Sequence, residues 1–346
     1  MYKAKVRKHT LEFKKPSGTS RGILIEKDSW IIEIWEEKNA SIIGMGEASI
    51  IKTLSPDWNV DYVSFLEKVV NSINDFVEGD LNNPKINGLI HYPSIYFAIE
   101  MALLDLKNGG KKILFPSAFT KNKASIKING LIWMGKKEDM LAQIKNKIAL
   151  GYDCIKLKIG AIDFEAELDL IRFIRTHYSK NEIELRVDAN GAFTAETAFK
   201  KLKLLADFDL HSIEQPIKQG QIEAMKKLCS TTPLPIALDE ELIGIIKYAD
   251  KVALLEKIKP QYIILKPSLI GGFKGSNEWI NIAENLGIKW WITSALESNI
   301  GLNAIAQFTY TKDNPLPQGL GTGQLYTNNI PSGLKIMEGR LYLVDS

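Results

Sequence analysis

From residue 124 onward, short apolar runs recur with amphipathic stretches between them, and most of the runs carry a charged or hydroxyl-bearing residue at or near their end. The runs are "SIKINGLIW", "CIKLKIG", "IELRVDANG", "HSIEQPI", "PIALDEE", "YIILKPS", "WWITSALES" and "QGLGTG". The residues Lys158, Asp188, Glu214, Asp239, Lys266 and Ser294 follow one another at intervals of about 25–30 residues. A strand of about five residues, a helix of roughly a dozen and two short loops fill such a period, so the pattern predicts βα units with parallel strands. Eight of them close a barrel, which carries its chemistry at the C-terminal ends of its strands. An open doubly wound sheet would place a G-x-G-x-x-G turn after its first strand, and none is found there.

Ahead of residue 120 the pattern differs. The strand-like stretch "GILIEKDSWIIEIWEE" follows the turn-rich "KKPSGTSRG", and helical periodicity then appears in "VSFLEKVVNSINDFVEG" and across residues 94–106. Strands followed by helices predict a separate α+β unit. The hexapeptide "KINGLI" occurs at 85–90 and again at 127–132, but its flanks do not match and it marks no repeat.

Composition narrows the function classes. The chain has 346 residues, 45% hydrophobic and 25% charged, enough for one large core and a smaller domain without staples. Its net charge of +3 comes from interspersed residues, so neither nucleic acid nor an anionic membrane is expected as a partner. Two cysteines are too few for a disulfide framework or a zinc cluster. The charged opening "MYKAKVRKHTLEFKK" is no secretory signal, and the apolar stretch at 94–106 is too short to span a bilayer. A cytoplasmic location is expected.

The chemistry rests on what shares a face. Along "CIKLKIG", alternation sends Ile155, Leu157 and Ile159 to one side and Lys156 and Lys158 to the other, toward the barrel mouth. Two ammonium groups so placed repel each other and lose solvent, so at least one is expected to have a lowered pKa and to serve as a base. Asp188, Glu214 and Asp239 end three successive units. Three converging carboxylates require a cation, and hard oxygen ligands point to Mg2+. Lys266 stands across the same mouth. That arrangement suits removal of a proton next to a substrate carboxylate, with the enediolate held between cation and lysine. A Schiff-base aldolase using Lys158 or Lys266 would need no three acids.

These residues resemble a known family. K-x-K at 156–158, "RVDAN" at 186–190, "IEQP" at 213–216, "LDEE" at 238–241 and "LKPS" at 265–268 are similar to the enolase superfamily, in its muconate-lactonizing-enzyme subgroup, across nearly the whole chain. The resemblance implies an α/β fold: an N-terminal α+β capping domain at 1–122, a (β/α)7β TIM-type barrel at 123–327, and a tail at 328–346 returning to the cap. The branch that uses a late barrel histidine is disfavoured, since His9, His91, His177 and His211 all lie elsewhere.

Further expectations follow from the resemblance. Lys158 and Lys266 are the catalytic pair, and Asp188, Glu214 and Asp239 the Mg2+ ligands, with Mn2+ a possible substitute. Lys156 orients the substrate carboxylate, Asn190 and Glu240 support the site, and Arg21, in the loop "SGTSRGI", closes over it. Arg186 and the seventh run "ITSALESNIGL", with Thr293 and Ser294, are similar to o-succinylbenzoate synthases. Arg186 equally suits a structural ion pair with a strand-end acid. Gly319 in "QGLGTGQL" leaves room for substrate or simply gives a flexible loop, and the Asp-x-Asp that dipeptide epimerases carry there is missing. The expected activity is therefore Mg2+-dependent dehydration of a small-molecule carboxylate to o-succinylbenzoate, a step toward menaquinone. N-acylamino acid racemisation, dipeptide epimerisation and a non-catalytic scaffold are the alternatives, and the chain is a monomer or a homo-oligomer.

Overall fold

A computed structural model of the chain describes residues 1–19, 22–77 and 88–344. The N-terminal region forms an antiparallel sheet from β1 (Tyr2–Thr19), β2 (Gly22–Glu36) and β3 (Asn39–Ser49), in that order. The turn-rich "KKPSGT" is strand rather than turn. Pairing of β1 with β2 shifts register between Glu12 and Ser17 and resumes at Ser17 opposite Leu24. Pro16 lies in this irregular stretch of an edge strand, where its missing N–H breaks no ladder.

The helical periodicity resolves into α1 (Tyr62–Asn71), α2 (Ile73–Val77) and α3 (Pro93–Lys107). Pro93 opens α3, a position where its lost N–H costs nothing. Ile95, Phe97, Ile99 and Met101 are all buried, so α3 is apolar around most of its circumference. It lies so close on β3 that a side chain at Gly44 or Gly46 would run into the carbonyl oxygens of Ala102 and Ala98.

The second region contains β4 (Ile126–Lys127), β5 (Gly130–Ile132), α4 (Lys137–Ala149), β6 (Cys154–Lys158), α5 (Phe164–His177), β7 (Glu184–Asp188), α6 (Ala195–Ala206) and β8 (Ser212–Glu214). It continues through α7 (Ile222–Thr231), β9 (Ile236–Leu238), α8 (Tyr248–Ile258), β10 (Tyr262–Leu265), α9 (Pro267–Ile270), α10 (Gly272–Asn285), β11 (Lys289–Ile292) and α11 (Asn299–Tyr310). Strands β5 to β11 pair in chain order as one curled parallel sheet of seven strands, with helices in the connections, as the spacing predicts. Residues 318 and 319 form parallel bridges to both sides of it, Gln318 to Ile128 and Gly319 to Thr293.

The run "SIKINGLIW" is divided between two sheets. Its β5 half joins the parallel sheet, while β4 pairs antiparallel with β13 (Arg340–Leu343), itself paired to β12 (Leu334–Met337). The changeover occurs at Ile128 and Asn129, whose N–H groups donate to Gly339 and Gln318. Just upstream of that hairpin, Asn328 accepts from Glu12 N and donates to Thr10 O on β1. Among the described residues no helix is long and apolar enough to cross a membrane.

Because the Cβ of Gly46→Ala would meet backbone that cannot step aside, this variant should lose about 1–3 kcal/mol of stability. A fall in the denaturant midpoint at constant slope would show it; an unchanged midpoint would mean that α3 does not press on β3 here.

Candidate active site

Parallel register sets the site. Lys158 stands opposite Asp188, and Asp188 opposite Glu214, so strand ends on β6, β7 and β8 bring their side chains to one level. Asp239 follows β9 and Lys266 follows β10 on the same rim. Lys156 Nζ lies 2.6 Å from Glu214 Oε2 and 3.2 Å from Asp188 Oδ2. Lys158 Nζ donates to Asp188 Oδ2 at 2.9 Å and to Asn190 Oδ1 at 2.6 Å. Lys266 Nζ donates to Asp239 Oδ2. Lys156, Lys158, Asp188, Glu214 and Asp239 are buried, and Lys266 is half-buried.

Within the lysine pair, Lys156 is not the member with a lowered pKa: burial opposes its charge, but Glu214 and Asp188 outweigh that penalty and raise it. Lys266 is raised in the same way, burial being overcome chiefly by Asp239. Pairwise repulsion between lysines is therefore secondary to the acids that face them. Asp188 is held below its usual range, because Lys158 and Lys156 together overcome its burial. Glu214 is pushed up to about 8, by burial first and by Asp188 next, against the pull of Lys156.

A second layer fixes the rim. Asn190, with φ of 43°, uses its left-handed backbone to turn its side chain back between neighbours. Its N–H donates to Asp188 Oδ1, and its Nδ2 donates to Glu240 Oε1 at 3.0 Å. Gln215, wholly buried, accepts from the backbone N–H groups of Asp239 and Glu241 on Oε1 and donates to Glu241 Oε2 and Ile217 O. It thereby locks the end of β8 to the end of β9. Sequence reasoning passed over Gln215 and Glu241 although both lie inside the quoted motifs "IEQP" and "LDEE"; an uncharged amide beside a strand-end acid was the available signal.

A cavity of about 250 Å³ opens above the rim. Lys156, Lys158, Asp188, Asn190, Glu214 and Lys266 form its polar floor. Thr293, Ser294, Leu296, Gly319 and Leu325 form one wall, and Leu131, Trp133, Ile23, Leu24, Ile51 and Leu54 another. Trp133, which the sequence reading also missed, has its ring 6.0 Å from Lys158 Nζ. Thr293 Oγ1 donates to Gly319 O at 2.8 Å, a contact that a side chain at Gly319 would obstruct. Arg21 lies outside the described residues.

Arg186 is not brought to this cavity. Although it shares a face of β7 with Asp188, it sits deeper, with Nε 2.7 Å from Glu184 Oε1, Nη1 donating to Pro317 O and its guanidinium 4.2 Å above the Trp291 ring. The same alternation that puts both residues inward also separates them by one layer.

The acids can be tested as metal ligands. Among the described residues no three His, Cys, Asp or Glu side chains stand together as a ready-made metal cage. The donor chemistry nevertheless fits a hard dication. Asp188, Glu214 and Asp239 offer only carboxylate oxygen, are buried to within 2% exposure, and include one buried atom, Glu214 Oε1, that accepts no hydrogen bond.

Comparison with known proteins identifies the family. Residues 139–346 match the family described as Enolase C-terminal domain-like. The chain is 46% identical over 361 aligned residues to the o-succinylbenzoate synthase of Desulfotalea psychrophila, covering 97% of each. The crystal structure of MenC from that organism superposes with a TM-score of 0.86 at 42% identity, covering 99% of each chain. The hydrophobic dipeptide epimerase of Enterococcus faecalis is 26% identical over 315 residues, covering 89% of this chain and 86% of that one. A dipeptide epimerase structure from Enterococcus faecalis, complexed with Mg and the dipeptide L-Leu-L-Tyr, gives a TM-score of 0.83 at 23% identity, covering 99% of this chain and 97% of that one, a likeness of fold.

Replacing Gln215 by Leu strands the N–H groups of Asp239 and Glu241 in the interior. It should cost about 2–4 kcal/mol, read from chemical denaturation; a loss below half a unit would show that water or neighbouring groups take over its role.

Proposed function

The chain belongs to the Enolase C-terminal domain-like family, and we infer that it acts as an o-succinylbenzoate synthase, a hydro-lyase of the enolase superfamily. The substrate is a succinyl-hydroxycyclohexadiene carboxylate, which loses water to become aromatic. One observation carries the reading at the site. Lys158 and Lys266, each paired with a buried carboxylate, both line a cavity whose other side chains are mostly apolar or hydroxyl-bearing, with Asn129 and Lys147 besides.

Asp188, Glu214 and Asp239 would hold a divalent cation, Mg2+ in our proposal, which supplies positive charge to a bound carboxylate and acidifies the carbon beside it. The chain's own groups do the rest. Lys158, aimed by Asp188 and Asn190, takes the proton from the carbon bearing the ring carboxylate. Lys156 orients that carboxylate, and Lys266 sets its positive charge against the enediolate from the opposite wall. Collapse of the enediolate breaks the C–O bond of the ring hydroxyl. The departing oxygen recovers the proton from Lys158 and leaves as water.

Around this centre we propose that residues 318–319 complete a (β/α)7β barrel by bridging its two edges, that 1–122 form its cap and 328–346 its tail, and that the enzyme serves menaquinone biosynthesis in the cytoplasm. Thr293, Ser294 and Gly319 would line the succinyl side. Racemisation of N-acylamino acids draws on the same lysines. Epimerisation of a dipeptide needs an acid for the substrate ammonium, and 319–323 read Gly-Leu-Gly-Thr-Gly.

Lys158→Ala should lower kcat for dehydration about 10³-fold in protein still folded at the assay temperature, although losing one partner of a buried ion pair lowers its melting temperature. Substantial residual turnover would remove Lys158 from the role of base. Chelation should abolish the parent's turnover and Mg2+ restore it; equal rates with and without chelator would exclude the proposed cation.

A further inference from the structure

The cavity wall formed by 293–296 is held from outside the barrel sheet. Leu296, which lines the cavity, has φ of 64°, a left-handed conformation that costs a branched side chain about 1 kcal/mol or more. Such a turn persists only where its surroundings over-determine it. Tyr326 Oη donates to Leu296 O at 2.7 Å, and Glu297 accepts from Ala295 N at 2.7 Å and from Ser268 Oγ at 2.6 Å.

The remaining anchor comes from the N-terminal sheet. Glu47 on β3 is wholly buried, and its two oxygens are saturated by four donors. Oε1 accepts from Ser29 Oγ at 2.7 Å and Ser298 N at 2.8 Å; Oε2 accepts from Ser298 Oγ at 2.5 Å and Gly301 N at 2.9 Å. Ser298 is also the N-cap of α11, so one carboxylate satisfies the first turn of the helix that follows the cavity wall. Gly301 permits the approach, since a side chain there would press on Glu47 and Glu297. Lys27, buried and hydrogen-bonded to Ser49, supplies the positive charge felt by both Glu47 and Glu297. Five of these residues, Lys27, Ser29, Glu47, Glu297 and Ser298, are buried and none of them lines the cavity among its described residues.

We propose that Glu47 is a positioning residue: through Ser298 it fixes the strained segment 293–298, and so the N-terminal sheet sets the wall that recognises the substrate. The inference rests on the reading of this cavity as the substrate site. It separates binding from proton transfer, because Lys158, Lys266 and the three acids hang on other strands and none is bonded to Glu47.

In Glu47→Gln, an amide NH2 replaces one acceptor and faces donors. KM should rise about tenfold while kcat stays within about threefold, and amide hydrogen exchange should accelerate selectively at 293–298. Ser298→Ala, which removes only one hydroxyl contact, should move both readouts in the same direction by a smaller amount and decides the matter if the first variant does not fold. Unchanged KM with undiminished protection at 293–298 in a folded variant would overturn the proposal, as would a loss of stability with kinetics intact. A parent protein that fails to form the aromatic product would instead overturn the functional reading, and the exchange data would still show whether Glu47 holds the segment.

Discussion

Three buried carboxylates on neighbouring strand ends repel one another strongly in a low-dielectric interior unless positive charge lies among them. Here Lys156, Lys158 and Lys266 supply it, one ammonium group in contact with each acid. The balance is not even: Asp188 is held low by two lysines, whereas Glu214, between two other acids, is pushed upward. In the proposed mechanism a dication would take over part of this ammonium charge and leave the lysines to meet a substrate, so that structure and catalysis would draw on the same six groups.

The fold's task is to keep those groups level. Parallel pairing places Lys158, Asp188 and Glu214 in one row, and side-chain hydrogen bonds from Gln215 and Asn190 tie neighbouring strand ends together. The other cavity-lining side chains hang on different elements: residues 293–296 follow the last strand of the parallel sheet, Ile23 and Leu24 lie on β2, and Ile51 and Leu54 lie in the turn after β3. In the proposed reading, chemistry and recognition would be carried by separable parts of one scaffold, both at the C-terminal ends of the parallel strands.

Much of the centre was legible in the sequence because strand periodicity and unit spacing are one-dimensional signals. Lys156 and Lys158 could be assigned inward from alternation alone, and the three acids from their recurrence at the ends of successive runs. Depth was not legible. Arg186 shares the inward face with Asp188, but only the three-dimensional layer shows it spent on Glu184 and Trp291 below the cavity. The raised pKa of Lys156 was hidden for a related reason: adjacency in sequence exposed the like-charged neighbour, while the opposing acids lie 30 or more residues away. The divided run 125–133 and the reach of Glu47 to Ser298 likewise depend on partners more than 200 residues distant, which no local pattern encodes.

The central claim is that Asp188, Glu214 and Asp239 together take up one dication beside two lysines. The most direct measurement is a crystal structure of the protein with Mg2+ and o-succinylbenzoate. The account predicts one ion about 2.0–2.2 Å from an oxygen of each acid, with the product carboxylate between Lys158 and Lys266. An ion bound elsewhere, or three acids still engaged by their lysines at saturating Mg2+, would contradict it.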